Sequence, residues 1–274
     1  MTENLLSSTQ NPKIKQLLTL QQKSAERRKA GLFVVEGRRE LQHCLDARME
    51  VDTVFYCPEL WSGEANTMEE VNPMALLEKV PHAFQVTPEL YQKIAYRGST
   101  EGLVAEVKEK PLSLNDLHLK AAPLLIILES VEKPGNLGAI LRSADAAGAD
   151  GVIVCDPLTD LYNPNLIRSS IGAIFTVPCV ACSTDECIAF LKSHGIRILT
   201  AQLQDSHLYY NTDMTQGTAI VMGTESTGLT DTWRKAADAH IRIPMLGQLD
   251  SLNVSVSAAI LLFEAVRQRG ANLT

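Results

Sequence analysis

Through the N-terminal part of the chain, apolar positions come in short runs separated by polar ones. Ile14, Leu17, Leu18 and Leu20 recur at helical spacing and run into the charged stretch Lys23 to Lys29, which predicts one amphipathic helix ending at Gly31. Leu32 to Val35 reads as a short strand, and Glu36-Gly37 opens a second helix through Leu41 and Leu45. Val51 to Tyr56, Phe84 to Val86 and Leu103 to Val107 read as further strands. Met74 to Lys79 reads as helical, and Pro88 to Ala95 as a helix capped by Thr87. Strands and helices alternating in this way make a small α/β domain. The polar stretch Lys108 to Lys120, broken by Pro111, follows a completed unit. The expected division is therefore 1–107 as one domain, 108–120 as linker and 121–274 as a second domain.

The pattern then changes. Leu124 to Leu128 is an uninterrupted apolar run, as expected of a strand covered on both faces of a parallel sheet. A loop from Glu129 to Gly135 leads to a helix over Asn136 to Ala147, and Val152 to Cys155, Ile196 to Ala201 and Ala219 to Met222 read as strands, with a helix near Asp185 to Ser193. Ile241 to Ile243 alternates as a last strand, Pro244 stops it, and Gly247 permits a tight bend. The stretch Ser251 to Phe263 has no charge and is apolar in most directions around a helical wheel, which predicts a helix buried on several sides. Successive strands joined by helices give a doubly wound α/β sheet, whose ligands bind outside the carboxyl ends of the strands.

Composition narrows the class. The chain has 274 residues, 45% of them hydrophobic, with no run long enough for a membrane span and no signal-peptide pattern at its start. A cytoplasmic location and no membrane partner are expected. The six cysteines fit a reducing compartment. Cys179-Val-Ala-Cys182, with Cys187 and His194, outlines a zinc site only weakly, since one CxxC lacks a second pair, and no metal is assigned. The net charge of −7 argues against non-specific polyanion binding. Its distribution is uneven. Lys13, Lys15, Lys23, Arg27, Arg28, Lys29, Arg38 and Arg39 face only Glu26 and Glu36 between Asn11 and Arg39, an electrostatic footprint suited to phosphates or, equally, a solvated helix face.

Three loops fall at the expected carboxyl ends: Glu129 to Arg142, Gly223 to Leu229, and Ile243 to Asn253. Each combines glycine, which lets backbone approach a ligand, with a few polar side chains. Neither a GxGxxG dinucleotide pattern nor a phosphate-binding P-loop is present. Ser251 and Asn253 can cap the last helix or contact a ligand, and the sequence leaves both open; Ser255 and Ser257 suit capping and close helix packing.

Asn136-x-Gly138-x-x-x-Arg142, Gly223-x-Glu225-x-x-Gly228-Leu229 and Ile243-Pro-Met-x-Gly247-x-x-x-Ser251-Leu-Asn-Val-Ser-Val resemble, in order, the three signature motifs of the SpoU (TrmH-like) RNA 2′-O-ribose methyltransferases of the SPOUT superfamily. Ser170-x-Gly172-Ala173 is similar to a further family element. Asn11-Pro-Lys-Ile-Lys through Phe33-Val-Val-Glu36-Gly37 resembles the ribosomal-protein-like substrate-binding domain that many members carry. Thr224 stands where many relatives have Asn, and Arg97-Gly-Ser-Thr-Glu101-Gly102 replaces a more usual Thr-Pro-Gln-Gly.

The resemblance implies a deep trefoil knot in the C-terminal α/β domain and S-adenosylmethionine bound there by the backbone of Gly223, Ile243, Met245 and Leu252, with help from the strand end near Thr200. It implies transfer of a methyl group to a ribose 2′-hydroxyl, with Arg142 given the role of base. A guanidinium is better suited to stabilising a developing alkoxide or holding a phosphate. Asn136 would orient Arg142 or the ribose, Glu225 would hold its loop or pair with Arg142, and Ser251 and Asn253 would fix the target nucleotide or the cofactor pocket. It further implies a homodimer through the knotted domains, and RNA contacts from Lys13, Lys15, Arg27, Arg28, Lys29, Arg38 and Arg39. Large-subunit ribosomal RNA is favoured over tRNA as substrate. A tRNA 2′-O-methyltransferase and a non-catalytic RNA-binding or ribosome-assembly factor of the same fold are the alternatives.

Overall fold

The computed structural model describes residues 5–61, 72–96, 101–224, 227–248 and 251–270. They form two compact units. One comprises residues 1–110 together with 162–175, the other 111–161 together with 176–274.

In the first unit, β1 (Leu5–Leu6), α1 (Pro12–Gln22), α2 (Ser24–Ala30), β2 (Leu32–Glu36), α3 (Arg38–Asp46), β3 (Val51–Tyr56), α4 (Pro73–Leu77), β4 (Ala83–Val86), α5 (Pro88–Ile94) and β5 (Leu103–Lys108) follow one another. The strands form a mixed sheet in the order β1-β4-β3-β5-β2, with β5 antiparallel to both β2 and β3. Asn11 caps α1 through its side chain, and Ile14, Leu17 and Leu20 supply its buried face. The single helix expected to end at Gly31 is two helices. Lys23 is extended (φ −120°) between α1 and α2, and Gly31 closes α2 in the left-handed conformation (φ 62°).

In the second unit come β6 (Leu124–Glu129), α6 (Pro134–Ala146) and β7 (Gly151–Cys155). The chain then gives residues 162–175, including α7 (Pro164–Ser170), to the first unit, and α8 (Ala173–Thr176) ends that excursion. There Tyr162, Ile167, Ile174 and Phe175 pack with Phe33, Val35 and Leu41, and the Phe33 and Tyr162 rings stack with centroids 4.4 Å apart. This segment was expected to belong to the second domain. After it follow β8 (Cys179–Cys182), α9 (Thr184–Ser193), β9 (Arg197–Ala201), β10 (His207–Leu208), β11 (Thr218–Met222), α10 (Asp231–Ala236), β12 (Ala239–Arg242) and α11 (Val254–Gln268).

The second sheet is wholly parallel, in the order β10-β12-β9-β11-β6-β7-β8. Strand β6 is buried along its whole length, as its apolar run demands. Residues 111–120, expected as a linker, instead pack on this unit. Leu112, Leu114, Leu117 and Leu119 join its core, and the buried Asp150 carboxylate accepts the backbone N–H groups of Lys120 and Leu124. Helix α11 is less enclosed than its composition predicts. It buries Val254, Ala258, Leu261, Leu262 and Ala265, whereas Val256 and Phe263 are each 47% exposed. Among the described residues, no helix is long and apolar enough to cross a membrane.

Candidate active site

In register, β6, β9, β11 and β12 finish side by side, so the loops that leave them meet on one edge of the sheet. A cavity of about 320 Å³ opens there. Its lining runs from Ala201 to Gln204 after β9, through Met222 to Thr224 after β11, to Ile243, Met245, Ser251 and Leu252 after β12. Gly223, Ile243, Met245 and Leu252, the four residues expected to hold a cofactor, and Ser251 all lie on this wall. Thr200 does not. It is buried, and its hydroxyl shares a 2.6 Å hydrogen bond with His240 Nδ1.

The loop after β11 is folded tightly on itself. Thr224 and Gly228 pair as a short antiparallel bridge, and the Thr224 and Thr227 hydroxyls lie 2.7 Å apart. A β-carbon on Gly223 would lie 2.3 Å from the Gly228 carbonyl carbon, so this position admits no side chain while the loop keeps its shape. The far end of the loop is anchored from beneath. Glu129, buried at the end of β6, accepts the backbone N–H of Thr230 at 2.9 Å and its hydroxyl at 2.7 Å. Gly247 lies in a bend, as expected, but without a left-handed φ, and a β-carbon there would meet nothing within 4 Å.

A second cavity of about 100 Å³ is lined by Val131, Glu132, Lys133, Asn136, Gly223, Thr224 and Val254. Gly223, Thr224 and Val254 belong to both linings, so the two spaces adjoin across the start of the β11 loop and of α11. Asn253 caps α11 and also reaches across to Asn136. Its Oδ1 accepts the Ser255 N–H at 2.9 Å and caps α11, while its amide donates to Asn136 Oδ1 at 3.1 Å. The starts of α6 and α11 are thereby joined. Arg142 lies on the exposed face of α6 and lines neither cavity; it has no hydrogen bond or ion pair with the described residues. Glu225 lies outside the described residues.

Two cavity residues escaped the sequence reading. Gln202 Oε1 and Arg234 Nε are buried and have no hydrogen-bond partner among the described residues, and both side chains belong to the lining of the larger cavity. Neither lies in a motif, and no periodicity separates a lining glutamine or arginine from a solvated one. An orphaned acceptor and donor, set among Leu229, Ile241, Ile243 and Leu252, suit a ligand with both polar and apolar parts.

The basic residues divide. Lys13, Lys15, Arg28, Lys29 and Arg39 are exposed, and Lys15 and Lys29 border a shallow depression with Gln16, Thr19 and Glu26. Arg38 is committed in part to Glu101, whose carboxylate accepts its N–H at 2.6 Å and whose carbonyl accepts its Nε at 3.2 Å. Arg27 is a correction. It is 2% exposed, and its guanidinium donates to the Leu20 carbonyl at 2.5 Å, closing the α1–α2 joint instead of facing solvent. Of the segment that departs from the family pattern, residues 97–100 lie outside the described residues. The cysteines also arrange themselves differently from the set considered. His194 Nδ1 turns to the Phe190 carbonyl at 2.9 Å and Cys179 stands apart, whereas Cys155 meets Cys182 and Cys187.

A sequence model of the SpoU rRNA Methylase family matches residues 123–263, more than half the chain. The chain belongs to the SpoU rRNA methylase family. The first unit matches in turn the MRM3-like substrate binding domain, over residues 11–105. Among relatives in the family, the 23S rRNA (guanosine-2′-O-)-methyltransferase RlmB of Vibrio vulnificus is 40% identical over 191 residues, covering 68% of this chain and 77% of that one. The 23S rRNA (uridine(2479)-2′-O)-methyltransferase of Streptomyces viridochromogenes is 29% identical, covering 96% and 92%. An AdoMet-bound rRNA methyltransferase from Sinorhizobium meliloti superposes with a TM-score of 0.85 at 27% identity, covering 96% of this chain and 97% of its own.

Proposed function

We propose that this chain is an S-adenosylmethionine-dependent RNA 2′-O-ribose methyltransferase acting on 23S ribosomal RNA. The observation that carries the reading is the pair of adjoining cavities built by the three family motifs at one edge of the parallel sheet. Gly223, Ile243, Met245 and Leu252 would hold the cofactor through their backbone, with Gln202 and Arg234 supplying the polar side-chain contacts. When bound, S-adenosylmethionine offers a sulfonium-activated methyl group to a ribose hydroxyl. The smaller cavity, with Asn136 and Lys133, would receive the ribose.

The chain's own residues then have separate tasks. Asn253 holds Asn136 in place at the cavity wall. A guanidinium stays protonated in proteins, so Arg142 would steady a phosphate or the oxygen as its negative charge grows, and would not take its proton. Glu225 would hold its loop or pair with Arg142, and Ser251 would border the cofactor. Lys13, Lys15, Arg28, Lys29 and Arg39 would supply phosphate contacts from the first unit, positioning RNA without reading its sequence. The knotted passage implied by the family would involve the loops after β11 and β12.

A homodimer formed through the second unit accompanies this reading. Val256 and Phe263 on α11, with Leu246 and Leu252 nearby in sequence, leave apolar surface exposed that a second copy would cover.

The test uses methyl-labelled S-adenosylmethionine with 23S rRNA, large ribosomal particles and tRNA, followed by digestion to nucleosides. Label is expected in a 2′-O-methyl nucleoside from the ribosomal substrate, and Arg142→Ala should lower it by at least about 100-fold, the scale of losing an oxyanion-stabilising group. Label in tRNA alone would overturn the substrate, and cofactor binding without label in any fraction would favour a non-catalytic factor.

A further inference from the structure

The carboxyl ends of β7 and β8 carry a cluster that the cofactor cavity does not use. Cys155 ends β7 and Cys182 ends β8, and the two are in register on adjacent parallel strands, which places their side chains on the same face. Cys187 comes from the first turn of α9. The three sulfurs all lie within 4.8 Å of one another. Strands β7 and β8 form the sheet edge remote in strand order from β9, β11 and β12, whose ends build the larger cavity.

Cysteine can fill a core simply as a small apolar side chain, and Cys155 and Cys187 do contribute to the apolar core of the second unit. Core filling, however, does not require three sulfurs from three elements to converge on one point. Cys182 is only half-buried, so the cluster is reached from solvent on one side. It also sits beside the amino end of the ten-residue α9, whose orientation favours negative charge.

We propose that Cys155, Cys182 and Cys187 bind one thiophilic d10 cation, Zn²⁺, through three thiolates. In tetrahedral coordination, zinc–sulfur bonds of about 2.3 Å put ligand sulfurs about 3.8 Å apart. The observed cluster therefore needs a contraction of at most about 1 Å, within reach of side-chain rotation. Among the described residues no further His, Cys, Asp or Glu atom joins the three, so water takes the fourth position on the Cys182 side. Binding forms three Zn–S bonds and releases to solvent the proton of each thiol that still carries one. The cation would tie the edge strand β8 and the start of α9 to β7, a structural task separate from methyl transfer.

The full chain, reduced and stripped of metal, should be titrated anaerobically with Co²⁺ and then Zn²⁺. One equivalent of Co²⁺ should bind with sulfur-to-cobalt charge-transfer absorption and be displaced by Zn²⁺. Cys182→Ser should weaken binding by at least about 100-fold, since losing an outer-shell partner alone costs 10–100-fold, while Cys179→Ser should leave it unchanged. Absence of the charge-transfer band, or equal affinity in Cys182→Ser, overturns the proposal. Should a variant fail to fold, alkylation of Cys182 in the unaltered reduced chain decides. Saturating Zn²⁺ should slow it at least about tenfold, and an unchanged rate overturns the site.

Discussion

Gly223 sits where the two cavities meet, and its lack of a side chain is what lets the β11 loop close on Gly228. Gly223→Ala should force that loop outward and weaken S-adenosylmethionine binding by at least about tenfold, or 1.4 kcal/mol, measured by calorimetric titration. A second residue-scale outcome concerns Glu106, which is buried on β5. Burial first, and then the charge of Asp52, push its carboxyl up to about 7, against the opposing influence of Lys13 and of the Gln16 hydrogen bond. The folded state thus binds this proton more tightly than the unfolded chain does. Its contribution to stability is fullest below the ordinary carboxylate value of 4.5 and declines as pH rises towards and past 7, by up to about 3 kcal/mol. Urea midpoints should fall between pH 5 and 8, and Glu106→Gln should flatten that slope. At this scale the motifs led to Gly223, Met245 and Leu252, which line the larger cavity. The sequence misled at Arg27, because the break at Lys23 changes the helical phase and turns that side chain inward.

Among the elements, α11 shows what a cap residue can join. Asn253 holds both the helix start and Asn136, so the two tasks separate by substitution. Asn253→Ala should cost about 1 kcal/mol and lower the melting temperature by about 2–4 °C. Asn253→Ser should keep the cap and nearly the full melting temperature, yet lower turnover because the Asn136 bond is lost. Long periodic segments such as β6, α6 and α11 were legible as elements. The two-residue strands β1 and β10 were not, since two residues carry no period, and β8 was obscured by its cysteine and alanine content. The enclosure expected of α11 was overstated, because an uncharged wheel does not distinguish a helix buried within one chain from one covered by another.

At the scale of the whole molecule, that exposed face sets a clear expectation. Phe263→Asp combined with Val256→Asp should convert a dimer to a monomer in light scattering and lower methyl transfer; an unchanged dimer would place the interface elsewhere. The parallel sheet and the grouping at its edge of the loops that carry the three motifs followed from the sequence pattern and the ligand rule for such sheets. The sharing of chain between units did not, because nothing in the sequence of residues 162–175 marks which unit they pack with.

That sharing bears on how such a molecule can change over generations. The first unit's core is completed by Tyr162 and Phe175 against Phe33, so its folding information is written in two separate places along the chain. A recombination event at residue 110 would transplant a recognition module with part of its interior missing. The two units are therefore heritable as a matched pair, and a shift to a new RNA target is more readily reached by surface substitution than by exchange of modules.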